Sequence, residues 1–361
     1  MNDMYPRLVF DLNKVRQNLD AVSSIVKAGS CSLMIVTKSF CADRRMAELI
    51  ASHPGVDYFA DSRIKNIKVY HDLPKESVLL RLPQHGEIEE VVRYADISFN
   101  SEMSTVRLLS KEAVKQDKSH KIVLMIDLGD LREGIFFRDR DMIDAAVEEI
   151  LALPNIELFG LGVNLTCYGA IIPKHDNLSI LTKLAEEIRR KYSIELPMVS
   201  GGNSSSLYLI DKSELPEGIN NLRLGEAFIL GNETAYGERI PGTNADAVTL
   251  EAQIIELKVK PSLPIGEVGM DAFGQRPVYE DRGNIKRAIL AIGKQDADVG
   301  SMTPEDPDID ILGASSDHLI MDVTRSKIEY KAGDAISFTL GYGGLLKAAT
   351  SSYVDRAYIN G

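Results

Sequence analysis

The stretch Ser32–Phe40, SLMIVTKSF, shows the pattern that decides the fold, because an apolar run, Ser32–Thr37, ends directly in the polar residues Lys38 and Ser39. Strands buried on both faces of a parallel sheet read as such continuous apolar runs. The pattern recurs seven more times along the chain, at Val56–Ala60, Val78–Leu82, Ala95–Phe99, Lys121–Leu128, Ile156–Val163, Leu196–Ser200 and Asn221–Leu224.

Segments with helical spacing separate these runs. Ser101–Lys115, Asp139–Leu151 and Asn177–Tyr192 carry apolar residues at intervals of three and four. Several of the helical segments open on Asp, Ser or Asn, as helix N-caps do. Eight strands that alternate with helices predict an α/β fold of the (β/α)8 TIM-barrel type, with an open doubly wound sheet as the alternative.

The composition and the hydrophobic periodicity of the sequence change after residue 232. Glu233–Asp246 is rich in Gly, Pro, Asn and Thr and is typical of a linker. Alternating runs typical of half-buried antiparallel strands follow it, at Leu250–Val259, Arg287–Ile292, His318–Val323 and Ala335–Leu340. We therefore expect a barrel domain, residues 1–232, followed by a C-terminal mostly-β domain, residues 233–361.

Composition excludes several classes of protein. The net charge is −12 and no block of Lys and Arg stands out, which argues against nucleic-acid binding. MNDMYPRLVF lacks the layout of a signal peptide, and no stretch approaches the ~20 apolar residues of a membrane span. The three cysteines are unpaired in spacing and the six histidines lack metal-ligand spacing. We expect a cytoplasmic protein without a metal.

Functional residues of such barrels collect where the strands end. Lys38 ends the first run, where partial burial would lower its pKa and favour a covalent bond to an aldehyde cofactor. The alternative is a lysine that simply extends into water. Ser200–Ser206, SGGNSSS, and Arg223–Glu226, RLGE, end the seventh and eighth runs, where barrels often bind phosphate. The alternative for the glycine-serine run is an ordinary turn.

The fifth and sixth runs end in further polar residues. Arg132 is suited to bind a substrate carboxylate, and its alternative is a surface salt bridge with Glu133 or Asp130. Asn164 and its neighbours face the same rim, and Cys167 reads as a small buried apolar residue. A lysine, a phosphate site and an arginine together indicate pyridoxal 5'-phosphate (PLP) acting on an amino acid.

Six motifs in order resemble the alanine-racemase-like PLP enzymes, and among these the ornithine racemases. The motifs are IDLGDLREGI (126–135), NLTCYGAIIP (164–173), SGGNSSSLYL (200–209), NNLRLGEAFILG (220–231), IGKQD (292–296) and GASSDHL (313–319). The resemblance covers nearly the whole chain and implies a barrel followed by a β domain.

The resemblance also implies roles for individual residues. Lys38 takes the place of the lysine that binds PLP covalently, and Arg223 that of the arginine facing the pyridine nitrogen. Arg132 matches the arginine near the substrate carboxylate. The remaining residues that match cofactor-binding positions are Asn203, Ser204, Gly225, Glu226 and Tyr342.

Four positions depart from alanine racemase itself. The tyrosine that serves as second base becomes Lys294, and a histidine beside the ring becomes Asn164, which we keep among the cofactor-binding residues. A phosphate-binding tyrosine falls near Ala42, and a lysine that is often carbamylated falls on Met125. We expect Lys38 and Lys294 to be the two acid/base groups, with His318 as the substitute for Lys294.

The expected activity is interconversion of L- and D-ornithine, with lysine or another amino acid as the alternative substrate. Ser316, Asp317 and His318 are expected to bind substrate, and Asp317, Glu133 and Glu226 are the candidate carboxylates for its side-chain ammonium. The resemblance implies a head-to-tail homodimer. The rival interpretations are a metal-assisted D-amino-acid dehydratase or aldolase, and a non-catalytic PLP-binding protein.

Overall fold

A computed structural model describes residues 4–361 and divides into two compact units. One unit is Val15–Asn244, and the other joins the segment that ends at Lys14 to Ala245–Gly361. Residues 1–3, which belong to the predicted barrel domain and to the MNDMYPRLVF segment, lie outside the described residues.

The elements up to residue 244 alternate between strands and helices. The chain enters through β1 (Arg7–Asp11) and α1 (Leu12–Ala28). The strands that follow are β2 (Ser32–Val36), β3 (Tyr58–Asp61), β4 (Glu76–Leu79), β5 (Ile97–Asn100), β6 (His120–Asp127), β7 (Ile135–Phe136), β8 (Ile156–Gly162), β9 (Met198–Ser200) and β10 (Asn221–Leu224). The helices between and after them are α2 (Arg44–Ala51), α3 (Ile64–Tyr70), α4 (Ile88–Tyr94), α5 (Met103–Lys115), α6 (Arg140–Ala152), α7 (His175–Tyr192), α8 (Leu207–Asp211) and α9 (Glu226–Ile229).

The parallel strands close into a barrel. Their order is β5-β4-β3-β2-β10-β9-β8-β6, and a pairing of β5 with β6 joins the two ends. The two-residue β7 pairs only with β6. All eight predicted runs are barrel strands, so the prediction of a TIM barrel is confirmed and the open doubly wound sheet is excluded.

Side chains fill the barrel interior. Met34, Phe99, Met125 and Phe159 are among the residues of one buried cluster inside the sheet. These are the inward-facing positions of the apolar runs, and their burial is the driving force that selects a closed sheet over an open one. The interior is therefore a packed core, and only the rim at the strand ends is left for chemistry.

The second unit is built on antiparallel strands. Its elements after residue 245 are β11 (Val248–Pro261), β12 (Asn284–Leu290), β13 (Met302–Pro304), β14 (Asp310–Ala314), β15 (Leu319–Asp322), β16 (Ala335–Leu340), α10 (Tyr342–Thr350) and β17 (Asp355–Ile359). Six strands run in the order β13-β16-β11-β12-β15-β14, and β1 adds to β11 antiparallel and to β17 in parallel. The prediction of a mostly-β second part is confirmed.

The bounds of the two units differ from the sequence-based ones. We predicted residues 1–232 and 233–361, whereas the structure places β1 in the sheet of the second unit and the division after Asn244. The cause is pairing across a long sequence separation, since Arg7 Nε donates to Glu251 at 2.7 Å. Local sequence patterns carry no record of such a partner.

Candidate active site

The residue before Lys38 is fixed firmly to the neighbouring strand. Thr37 is fully buried; its N–H donates to Ala60 O at 2.8 Å, and its Oγ1 donates to Asp61 Oδ2 at 2.6 Å. Lys38 then begins a short 3-10 turn, Lys38–Phe40, and is half-buried. The structure therefore places Lys38 at the carboxyl end of β2, as predicted from the apolar run.

Asp61 is the buried carboxylate that organises this corner. Besides Thr37 it accepts hydrogen bonds from Asn66 Nδ2, at 3.1 Å and 3.2 Å, and from the N–H of Arg63 at 2.9 Å. Burial raises the pKa of the Asp61 carboxyl, and the hydrogen bonds from Thr37 and Asn66 oppose the rise. Asp61 was not among the predicted site residues, because its partners come from two different strand ends.

The loops after β9 and β10 are joined, as the two-loop prediction requires. Ser204 is buried, and its Oγ accepts a hydrogen bond from the N–H of Ala227 at 3.2 Å. Asn203 caps the serine turn by accepting from the N–H of Ser205 at 2.9 Å. Gly202 has φ 121°, a conformation that favours glycine, and a Cβ there would lie 2.5 Å from Ser206 Oγ.

Arg223 is a buried cation at the centre of the rim. It lies 4% exposed in β10, donates from Nη1 to Ser200 Oγ at 2.6 Å and from Nη2 to Val163 O at 2.7 Å. Its guanidinium also lies 5.3 Å above the ring of Phe99. Burial lowers the pKa of Arg223 to about 10, so the side chain keeps its positive charge at neutral pH.

An amide pair connects the loops after β8 and β9. Asn203 Nδ2 donates to Leu165 O at 3.0 Å and to Asn164 Oδ1 at 3.3 Å. Asn164 Nδ2 is buried and has no hydrogen-bond partner among the described residues. A buried N–H without a partner costs free energy, so this group is suited to meet a ligand atom.

Cys167 corrects one prediction. We expected a small buried apolar residue, but Cys167 is exposed and its Sγ accepts from Asn203 Nδ2 at 3.3 Å. Asn164 Oδ1 lies 3.5 Å from the same sulfur. Residues 167–171 of this loop are exposed, whereas Asn164 and Leu165 just before them are buried, so the apolar character of Cys167 did not predict its exposure.

Asp130 holds that loop in place. This carboxylate is 1% exposed and accepts four backbone hydrogen bonds, from Thr166 (3.0 Å), Tyr168 (3.2 Å), Gly169 (3.1 Å) and Ile171 (3.4 Å). The strand-end loops after β6 and β8 are thus held together by one side chain. Sequence analysis considered Asp130 only as a salt-bridge partner of Arg132 and missed this role.

Arg132 pairs with its own neighbour. Its Nε and Nη2 donate to the two carboxylate oxygens of Glu133, so the salt-bridge alternative describes its contacts here. Glu226, at the start of α9, is half-buried; burial raises the pKa of its carboxyl and the charge of Lys38 opposes the rise. Lys38 and Glu226 are therefore close enough to interact electrostatically.

The candidate residues of the second unit form a separate group. The N–H of Lys294 donates to Ser315 O at 2.9 Å, and that of Gln295 to Ser316 O at 2.8 Å, so IGKQD and GASSDHL lie side by side. A Cβ on Gly293 would collide with the backbone of Asp317, which explains the glycine.

Within this group Lys294 is half-buried, and Ser316, Asp317 and His318 are exposed. Lys294 Nζ lies 3.8 Å from Asp271 Oδ2 and 4.2 Å from the ring centre of Phe273. His318 Nδ1 lies 2.9 Å from Asp317 Oδ1, and the bond from His318 is the main cause of the lowered pKa of Asp317. The structure thus brings Lys294, Ser316, Asp317 and His318 together.

Tyr342 lies on a helix of this unit. It is the first residue of α10 and is half-buried. Within residues 4–361, we find no group of three or more His, Cys, Asp or Glu side chains arranged to hold a metal ion. Over the same residues, no helix has the length and apolarity that crossing a membrane requires.

The fold and the rim define a (β/α)8-barrel protein with an antiparallel second unit, whose strand ends carry a lysine, a serine-glycine turn and a buried arginine. Residues 10–232 match the family model "Alanine racemase, N-terminal domain", and the chain belongs to this family. The predicted resemblance is confirmed.

Individual relatives cover almost the whole chain. Ornithine racemase of Acetoanaerobium sticklandii is 55% identical over 353 residues, which are 98% of this chain and 99% of that protein. Lysine racemase of Thermotoga maritima is 36% identical over 357 residues, again 98% and 99%. The solved alanine racemase of Bartonella henselae with covalently bound pyridoxal phosphate has a TM-score of 0.74 and 16% identity, and covers 99% of this chain and 100% of its own. At that identity it shows the shared fold.

Proposed function

We propose that this protein is a PLP-dependent racemase that interconverts L- and D-ornithine. The observation that carries the proposal is the joining of the loops after β9 and β10 beside buried Arg223, on the rim that bears Lys38. The 55% identity to an ornithine racemase over 98% of the chain supports the substrate.

The rim residues fit PLP in charge and in hydrogen-bonding groups. Ser204 Oγ and the backbone of Gly225 and Glu226 would hold the phosphate. The space beside Gly225 is open, because a Cβ there would meet only Val36, at ordinary contact distance. Both terminal nitrogens of Arg223 are engaged by protein oxygens, which leaves its Nε–H for the ring nitrogen.

Two further assignments complete the cofactor proposal. Asn164 Nδ2, buried and otherwise unpaired, would donate to a polar atom of the cofactor, with Asn203 holding Asn164 in place. Lys38 Nζ would bond to the aldehyde carbon with loss of water, and the substrate amine would then take its place and release Nζ for proton transfer. Tyr342 stays a prediction, as a hydroxyl that reaches the phosphate.

The reaction needs two proton-carrying groups on opposite faces of the substrate. When bound, PLP withdraws the electron pair that stays at Cα after the α-proton leaves. Lys38 Nζ would accept that proton on one face, and Lys294 Nζ of a second copy would deliver one on the other; the two exchange roles for the opposite enantiomer. Arg223 keeps its charge and opposes protonation of the ring nitrogen, which favours simple reprotonation at Cα over transamination.

The substrate carboxylate would be bound by Arg132. In the structure Nε and Nη2 of Arg132 donate to Glu133, so a substrate carboxylate bound through these two groups would replace Glu133 as their partner. Ser316, Asp317 and His318 would contact the substrate from the unit that bears Lys294. As the resemblance implies, a head-to-tail homodimer would bring this unit to the barrel rim of a second copy. The three free cysteines suit a reducing compartment such as the cytoplasm.

Lysine is the second candidate substrate, because a lysine racemase is 36% identical over 98% of the chain. A direct assay separates the candidates. Purified protein with PLP is incubated with each enantiomer of ornithine, lysine and alanine, and the products are resolved by chiral chromatography.

We expect both ornithine enantiomers to reach equal amounts, faster than lysine and much faster than alanine. A faster reaction of lysine or alanine would overturn the substrate assignment. Bound PLP without racemisation of any amino acid would favour the non-catalytic PLP-binding protein.

A further inference from the structure

The ammonium of Lys294 lies against two groups that both recognise a cation. Asp271 Oδ2 is 3.8 Å from Nζ, and the ring centre of Phe273 is 4.2 Å from Nζ. A carboxylate attracts an ammonium by charge, and an aromatic face attracts it by the ring quadrupole. Together, the carboxylate and the ring form a binding site for a primary ammonium, which we call the receptor. In the structure a side chain of the same unit occupies it.

The turn that carries these groups is built to present them together. Asp271 Oδ1 accepts the N–H of Phe273 at 2.9 Å and of Gln275 at 2.8 Å, while Oδ2 faces the lysine. The N–H of Asp271 donates to Gln275 O at 2.8 Å, and that of Gly274 to Asp271 O at 3.1 Å. One carboxylate oxygen therefore shapes the turn and orients the ring, and the other is left for the cation.

The other carboxylates considered for this purpose are engaged differently. Glu133 binds the guanidinium of Arg132, and Asp317 binds His318 and the hydroxyls of Ser315 and Ser316. Glu226 faces Lys38. Among these carboxylates, Asp271 is the one that pairs with Lys294, the lysine proposed as the second acid/base.

We propose that Asp271 and Phe273 form the receptor for the side-chain ammonium of a diamino-acid substrate, and that Lys294 occupies this receptor until substrate displaces it. The inference rests on the proposed racemase function and names the residues that select its substrate.

The lengths are compatible with this exchange. The terminal nitrogen of extended ornithine lies roughly 5 Å from Cα, from four bonds of about 1.5 Å each. An acid/base nitrogen must come within about 3–3.5 Å of Cα to exchange its proton. Because Asp271 lies 3.8 Å from Lys294 Nζ, a nitrogen at the end of the ornithine chain reaches the carboxylate that Lys294 leaves.

Displacement also prepares Lys294 for its proposed task. Once the substrate ammonium neutralises Asp271, Lys294 has lost its anionic partner and has a cation nearby. The Lys294 side chain is then released from Asp271 and can turn toward the face of the substrate that it serves. A neutral side chain such as that of alanine brings about neither change.

The test compares ornithine with norvaline, which has the same carbon chain without the terminal nitrogen. Asp271→Asn keeps an oxygen for the turn and removes the charge, so we expect kcat/KM for ornithine to fall about tenfold or more while norvaline is unchanged or faster. Phe273→Leu should lower kcat/KM for ornithine by a few-fold and leave kcat/KM for norvaline unchanged. Glu267→Gln, an exposed carboxylate in the same loop, is the matched control and should change neither substrate.

The outcomes distinguish a failure of the ammonium receptor from a failure of the proposed racemase function. An equal loss for both substrates in Asp271→Asn would mean that Asp271 only positions Lys294, and this would overturn the receptor. Unchanged ornithine kinetics in that variant would do the same. If the wild-type protein racemises neither amino acid, the proposed function fails first and the receptor fails with it.

Discussion

The barrel rim and the exposed group around Lys294 hold their candidate residues in different ways. On the rim, Arg223 is 4% exposed and Asp130 1% exposed, and each is fixed by two or more hydrogen bonds. In the second unit the side chains of Lys294 and His318 are 36% and 46% exposed, and each has one carboxylate partner. The rim residues are fixed by several buried hydrogen bonds, whereas the side chains of the other group can exchange partners.

This difference distinguishes residues that serve the reaction of every amino acid from residues that recognise a particular substrate. Groups fixed in a buried network are costly to change, because removing one leaves the others unpaired. Exposed ion pairs contribute little to stability and are easy to replace. We interpret the rim as the part that holds the cofactor and the exposed group as the part that adapts to different amino acids.

Removing Lys38 should have the largest effect. Lys38→Ala should lose racemisation by about 10³-fold or more, because it removes both the covalent attachment and one acid/base group. In the wild type, borohydride reduction should attach PLP to the peptide containing Lys38. Lys38→Arg keeps the cation but should remain inactive and unlabelled; label on another lysine would overturn the assignment.

Lys294→Ala tests the exposed group and should slow racemisation by about 10²–10⁴-fold, the usual range for a general acid or base. Because Lys38 still serves its own face, the variant should exchange the α-proton of one ornithine enantiomer in D₂O and not that of the other. His318→Ala should retain exchange of both. Near wild-type racemisation in Lys294→Ala would move the second acid/base to His318.

Ser204→Ala should weaken PLP binding by roughly ten- to a hundredfold, since a hydrogen bond to a charged group is worth about 1.5–3 kcal/mol. Variant that still holds PLP should react at nearly the wild-type rate. Ser206→Ala removes a hydroxyl of the same turn that donates to Gly201 O at 2.9 Å, and serves as the control. Cofactor titration followed by absorbance measures both, and equal affinities would show that the serine run is only a turn.

Asp130→Asn should have the smallest effect on activity, a few-fold, because Asp130 acts by holding the loop 164–173. The amide replaces one acceptor oxygen with a donor that faces the N–H of Tyr168, so we expect about 1–2 kcal/mol of lost stability by thermal or urea unfolding. Asp141→Asn, an exposed carboxylate of α6, should lose much less. Equal stability of the two variants would contradict the proposed clamping role.

The barrel could be predicted because its strands carry their own signal. Each is buried on both faces and reads as an apolar run, and eight such runs suffice to choose the fold. The strands β13, β14 and β17 are short or partly exposed and lack that signal, and we did not predict them. We also missed the two-residue β7 and β1, although β1 is as long and as buried as β2. Helix α10 was also missed, since its sequence, YGGLLKAAT, begins with two glycines after tyrosine.

The site was predictable to the extent that it lies at strand ends. Lys38, Ser204 and Arg223 follow from position, because parallel strands bring their ends to one rim. Asp61 and Asp130 were not predictable as organisers. Asp61 depends on the Thr37 hydroxyl at another strand end, and Asp130 depends on backbone groups of another loop. Asp271 lies in a loop without periodicity, and only the fold places it beside Lys294.

The pairing of β1 with both β11 and β17 constrains the order in which the chain can fold. Asn360 donates to Asp11 across 349 residues, and β1 pairs with β17 over five positions. During synthesis β1 emerges before the barrel, while its two partner strands emerge after it. The barrel can therefore form from local contacts before β1 has paired. Closing the sheet that joins β1 to β11 and β17 is then a late step of high contact order.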